Sequence, residues 1–144
     1  MADEQSTTLS PLPVPSNTFN PVAAQSTPLG TPLAFSISTA GEVVPARANS
    51  VNTAYCCGLA ATAGSTGHRL HAQFAGPLTL TAAEWDALTG DSGGLTPGVP
   101  YYVSQGTAGK LTKTAPVSGL KAPVGIAENA TTLLIQISYP TTLS

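Results

Sequence analysis

The chain has 144 residues, of which 42% are hydrophobic and only 8% charged, with a formal net charge of −2. That length fits one domain of ordinary size, and the charged share lies far below the roughly 25% of an ordinary soluble protein. The five cations, Arg47, Arg69, Lys110, Lys113 and Lys121, are scattered, so the clustered charge that binds nucleic acid by counterion release is missing, and no apolar run approaches the roughly 18 residues of a membrane span.

Ser, Thr, Asn, Gln and backbone groups supply most of the remaining polarity. A surface of that kind suits extended contact with other protein, because burying it carries little desolvation cost. The first residues, Met1 to Gln5, are acidic and hold no apolar stretch of the kind that opens a secretory signal. The expectation is a chain made in a reducing host cytoplasm.

Residues 1–33 differ from the rest. Pro11, Pro13, Pro15, Pro21, Pro28 and Pro32 are spaced among Ser, Thr and Asn with no hydrophobic period. The stretch LSPLPVPSNTFNPV forbids helix and favours extended or polyproline II backbone. Alone, such a segment buries too little to offset its ordering entropy. The expectation is an extended arm over 1–33 that orders against a partner, followed by a β domain over 34–144. Leu9, Leu12, Pro13, Val14, Pro15, Phe19 and Leu29 are its candidate contacts. Residues 11–15 also have the form of an SH3-type ligand, but the arm has no flanking Arg or Lys.

From Leu33 onward short strands and turns are expected. LAFSIS (33–38) places Leu33, Phe35 and Ile37 on one face, and EVVPARA (42–48) returns as an edge strand because of Pro45. AYCCGLA (54–60) and HRLHAQFAG (68–76) read as further strands. One helix is predicted over about 81–89. Thr81 as N-cap and Glu84 three residues on make a capping box, Gly90 takes the left-handed position after the last turn, and Trp85 and Leu88 fasten it to a sheet. PYYVS (100–104) and GKLTKTA (109–115) form a hairpin, and APVGIA (122–127) and TTLLIQIS (131–138) complete the set. CGLAATA (57–63) and VGIAENA (124–130) share a pattern that suggests two similar hairpins. The fold class is mainly β, a small sandwich or barrel-like domain with one short helix.

Adjacent Cys56 and Cys57 would face opposite sides of a strand and cannot form an ordinary bridge. Buried small hydrophobes are their expected role. The string Gly90-Asp91-Ser92-Gly93-Gly94 matches the serine loop of chymotrypsin-like proteases, where backbone amides build an oxyanion hole. The likeness stops at five residues. His68 and His71 lie some twenty residues upstream, and no carboxylate is placed to orient either. A helix cap followed by a glycine-rich turn is the preferred reading, with a serine hydrolase as the disfavoured rival. His68 and His71 are three apart on a predicted strand and lack a third ligand, so no metal site is expected. No phosphate-binding loop precedes a helix. No catalytic residue, cofactor or metal is therefore expected.

AYCCGLA, HRLHAQFAGPLTL, AAEWDALTGDSGGLTPGVPYYVSQGTAGKLTKTAP and APVGIAENATTLLIQI together resemble small β domains of tailed-phage structural proteins. That resemblance implies a non-enzymatic virion protein with no catalytic residues to carry over. The arm favours a capsid decoration (cement) protein, which stabilises the head by binding across major capsid protein subunits on the capsid exterior. By the same analogy it implies a homo-oligomer, with a trimer as the model case. A head-fibre or tail-fibre base module is the alternative.

Overall fold

The structure, a computed structural model, describes residues 17–143. Its strands are β1 Thr18–Phe19, β2 Val22–Ala23, β3 Pro32–Phe35, β4 Glu42–Pro45, β5 Gly58–Ala60, β6 Ala72–Gln73 and β7 Ala75–Thr79 in the first part of the chain. β8 Pro100–Val103, β9 Leu111–Thr112, β10 Gly119–Lys121, β11 Pro123–Ala127, β12 Thr132–Gln136 and β13 Thr141–Leu143 follow. Two helices interrupt them, a single turn α1 at Val51–Ala54 and α2 at Ala82–Thr89. The chain is mainly β, as its patterning implies.

One sheet has five antiparallel strands in the order β9-β8-β11-β12-β7. Its alternation is simplest in β12, where Leu133 and Ile135 are buried while Leu134 and Gln136 face outward. The β11–β12 hairpin turns on Asn129, whose side-chain oxygen accepts from the amides of Thr131 and Thr132, both at 2.9 Å. β11 carries a bulge between Pro123 and Gly125. A Cβ at Gly125 would strike the Leu134 carbonyl of the neighbouring strand, so only glycine fits there.

Helix α2 covers this sheet and forms for the local reasons its sequence predicts. The Glu84 amide donates to Thr81 Oγ1 at 3.1 Å, and the Thr81 amide donates to Glu84 Oε1 at 2.9 Å. Gly90 ends the helix at φ 78°, with its amide donating to the Asp86 carbonyl at 2.8 Å. Trp85 and Leu88 are both buried, and Trp85 Nε1 donates to the Thr131 carbonyl at 2.8 Å.

The second sheet has six short strands in the order β1-β6-β5-β3-β4-β2. β1 pairs antiparallel with β6 at one edge, and β2 pairs parallel with β4 at the other. The single run 18–24 thus holds both edges, with the Ala23 amide donating to the His68 carbonyl and the Ala24 amide to the Val43 carbonyl. The sheet curls as a result: Phe19 and Phe35, on strands separated by β6 and β5, bring their rings to 5.8 Å.

These two larger sheets make a sandwich-like pair around a main core, while β10 and β13 pair antiparallel as a separate two-stranded sheet. Ala34 and Leu59 from the six-stranded sheet meet Val103, Val124, Leu133 and Ile135 from the other, with Trp85 and Tyr101 among them. A second, smaller core of Ala23, Leu33, Val43, Ala60, Leu70 and Ala72 lies within the curl. Neighbours such as Leu33 and Ala34 point into different cores, so the sheet is buried on both faces.

Four sequence expectations need correction. The segment 42–48 does not form an edge strand, because β4 lies inside the sheet between β3 and β2. An extended arm over 1–33 does not hold for residues 17–33, which supply β1, β2 and the start of β3 and bury Ala23, Thr27, Thr31 and Leu33. The prolines permit this because they lose a donor and keep an acceptor. The Pro21 carbonyl accepts from the Leu70 amide, Pro28 from the Thr31 amide and Pro32 from the Ala46 amide. The strand expected over 54–60 shortens to β5, because the helical turn α1 runs from Val51 to Ala54. The one expected over 68–76 breaks at Phe74 into β6 and β7. The capsid-contact candidates Leu9, Leu12, Pro13, Val14 and Pro15 lie outside the described residues.

Candidate functional site

The GDSGG turn is built around Asp86. Its carboxylate accepts from the Gly93 amide at 3.1 Å and the Gly94 amide at 2.8 Å, while the Gly90 amide closes the helix. Gly94 stands at φ 86° with its Cα facing the Ala130 carbonyl, so a side chain there would be both strained and blocked. With the Asp91 amide donating to Thr89 Oγ1 at 3.2 Å, four of the turn's five amides are already donors within the protein. Ser92 itself is exposed, and so are His68 and His71. The His68 ring contacts the Thr66 carbonyl at 3.2 Å, and the His71 amide donates to Thr62 Oγ1 at 2.9 Å. The turn serves as a helix stop tied back to its own helix.

The cations are likewise engaged by neutral groups. Arg47 Nε donates to the Gln105 carbonyl, Arg69 to the Asn20 carbonyl and Lys113 to Thr96 Oγ1. Lys110 donates to the Ala87 carbonyl at the C-terminal end of α2, where the helix dipole favours positive charge. Lys121 lies over the Tyr102 ring at 5.6 Å.

The feature with the clearest capacity for recognition is apolar. The end of the six-stranded sheet where β1 begins and β3 ends opens into two adjoining grooves of about 420 and 440 Å³, which share Phe35 and Tyr55. Among the described residues nine large hydrophobic side chains are exposed, and six of them line these grooves: Phe35, Ile37, Val51, Tyr55, Phe74 and Tyr139. Tyr139 is 74% exposed and Phe35 is 56% exposed. No charged side chain lines either groove. Scattered surface hydrophobes need no explanation, but a contiguous uncharged patch marks a contact surface.

Local structure sets each ring in place. Phe35 is the last residue of β3, Tyr55 follows the single turn of α1, Phe74 sits at the break between β6 and β7, and Tyr139 follows β12. Phe19 packs between Phe35 at 5.8 Å and Phe74 at 6.2 Å, with tilted planes. Tyr55 and Tyr139 meet at 4.6 Å. Tilted ring pairs of this kind contribute about 0.5–1.5 kcal/mol each beyond their buried area, so the face is held in shape. The hydrogen bond with Tyr139 raises the Tyr55 phenol above its ordinary value, with burial adding to it.

The two cysteines separate as their adjacency predicts. Cys56 joins the main core, and Cys57 packs on the smaller core and lines the groove floor. Burial pushes the Cys56 thiol up to about 11. Burial, reinforced by the neighbouring Cys56, pushes Cys57 up to about 12. Both are therefore held as thiols at neutral pH.

Of the candidate arm contacts that are described, Phe19 lies on this face and Leu29 packs half-buried against the main core. Thr81, Glu84, Trp85 and Gly90 occupy their expected places in and around α2. Phe74, Tyr55 and Tyr139 had no marker as contact residues in the sequence. The nearest signal was aromatic residues sitting at strand ends rather than within strands. No protein-family model and no curated protein matches the chain.

Proposed function

We propose that the chain is a non-catalytic structural subunit of a tailed-phage particle, a decoration protein on the capsid exterior that joins neighbouring major capsid protein subunits. The observation that carries this reading is the uncharged aromatic face, which is suited to lasting contact with another protein surface. The shortage of charge elsewhere points the same way, since a subunit packed into an array buries much of its exterior. The Asp86-bound turn and the high thiol pKa values supply no activated nucleophile for the rival hydrolase reading. With residues 17–33 in the body, the tether to the array falls to residues 1–16.

Copy number in purified particles tests the proposal. A decoration subunit is expected at on the order of hundreds of copies per particle, since many weak contacts on a symmetric shell act together. About a dozen copies or fewer would transfer the chain to a fibre or tail position, and its absence from particles would overturn the reading altogether.

A further inference from the structure

We infer that the aromatic groove is the seat for the proline-rich leader, residues 9–15, of a neighbouring copy of the same chain. This deepens the proposed function and rests on its premise that copies stand side by side.

The two surfaces match in chemistry. Residues 5–16 contain no charged side chain, and neither groove is lined by one. A polyproline II segment repeats every three residues, which puts Leu9, Leu12 and Pro15 along one edge. Aromatic-lined grooves take up such segments at low entropic cost, because proline holds them extended before they bind. The usual basic residue beside a proline-rich ligand answers an acidic groove. Here both are missing together.

The chain's path favours a neighbour over the same copy. The Asn17 carbonyl accepts from the Phe74 amide at 2.9 Å, and Asn17 Nδ2 donates to the Ala75 carbonyl at 2.9 Å. Asn17 is thus fixed at the start of β1, at the same end of the sheet as the groove. Pro11, Pro13 and Pro15 each fix their own backbone and bias the residue before them away from helical turns. A segment so constrained resists folding back at Asn17. At ~3.1 Å per residue, residues 9–15 span about 20 Å, a distance suited to an adjacent copy. Such a contact is heterologous, leader of one copy to groove of the next, and closes into a ring when the rotation allows.

Sedimentation of the full-length chain tests this with one variant on each side. Wild type is expected to self-associate, and Leu12→Asp and Phe35→Ser are each expected to weaken association by about tenfold or more. An equimolar mixture of the two variants retains one intact leader and one intact groove, so it is expected to recover a two-chain species and nothing larger. Tyr139→Ser, at the far end of the groove and more exposed, must behave as Phe35→Ser does, which guards against a folding defect in one variant. Three results would overturn the inference: a monomeric wild type, a Leu12→Asp chain that associates as wild type does, or a mixture that stays monomeric. A monomer that still coats particles would sink this inference and spare the proposed function. A self-associating chain absent from particles would do the reverse.

Discussion

The two sheets place their aromatic residues differently. Around the five-stranded sheet the large side chains go inside: Trp85 and Tyr101 are fully buried with Leu133 and Ile135. Within the curl of the six-stranded sheet the smaller core is half alanine, Ala23, Ala60 and Ala72, and the aromatics Phe35, Tyr55 and Phe74 stand at the exposed end. The first arrangement concentrates apolar burial where it stabilises the fold. The second leaves rings available on a frame whose strands are too short to bury them. Stability and recognition are thus divided between two parts of one small domain.

The sharpest way to test that division is to remove Trp85. Trp85→Ala deletes the largest buried side chain and leaves the Thr131 carbonyl without its indole donor. A loss of about 3–5 kcal/mol is expected in denaturant unfolding. A loss under about 1 kcal/mol would mean that the main core does not dominate stability.

A smaller effect is expected at the turn. Asp86→Ala leaves the Gly93 and Gly94 amides without their carboxylate, costing about 2 kcal/mol for the paired, charge-assisted bonds at this partly exposed site. Amide hydrogen exchange should quicken at Gly93 and Gly94 and stay unchanged around β3 and β4. Equal quickening in both regions would show the two parts to be more tightly coupled than their separate cores suggest.

The smallest effect is silent at neutral pH. Both thiols have folded pKa values raised above the unfolded 9.0, to about 11 and about 12. The folded chain holds these protons more tightly, so their contribution is complete below pH 9 and is lost as pH rises through 9 to 12. The urea midpoint is expected to fall over that window, and to fall less in the Cys56→Ala, Cys57→Ala double variant. Parallel curves for the two chains would break the link between the groove floor and its burial.

Much of the five-stranded half was legible in the chain, because its signals are local. Thr81 and Glu84 lie within one turn, Gly90 supplies the left-handed residue that ends α2, and the alternation of Leu133 and Ile135 with Leu134 and Gln136 names the buried face. The six-stranded half was less so. Its strands at 18–19, 22–23 and 72–73 are two residues long, too short for any period to show. Leu33, Phe35 and Ile37 were expected on one face, yet the strand stops at Phe35, and only Leu33 is buried while Phe35 and Ile37 are exposed. The internal echo at 57–63 and 124–130 places glycines at equivalent crowded points. A Cβ at Gly58 would meet the Gln73 carbonyl, as one at Gly125 would meet that of Leu134. Only the second segment, however, closes a tight hairpin.

Sequence alone determined the mainly β character, the position and caps of α2 and the shortage of charge. Each of these depends on a residue and its near neighbours. The tertiary structure decided that residues 17–33 belong to the body and that Phe19, Phe35, Tyr55, Phe74 and Tyr139 form one surface. Those outcomes depend on pairing between segments some 20 to 55 residues apart, such as Val22 with Glu42 and Thr18 with Gln73. Long-range pairing of that kind is set by which backbone groups and apolar faces find partners once the whole chain has collapsed, and no short window of sequence contains it.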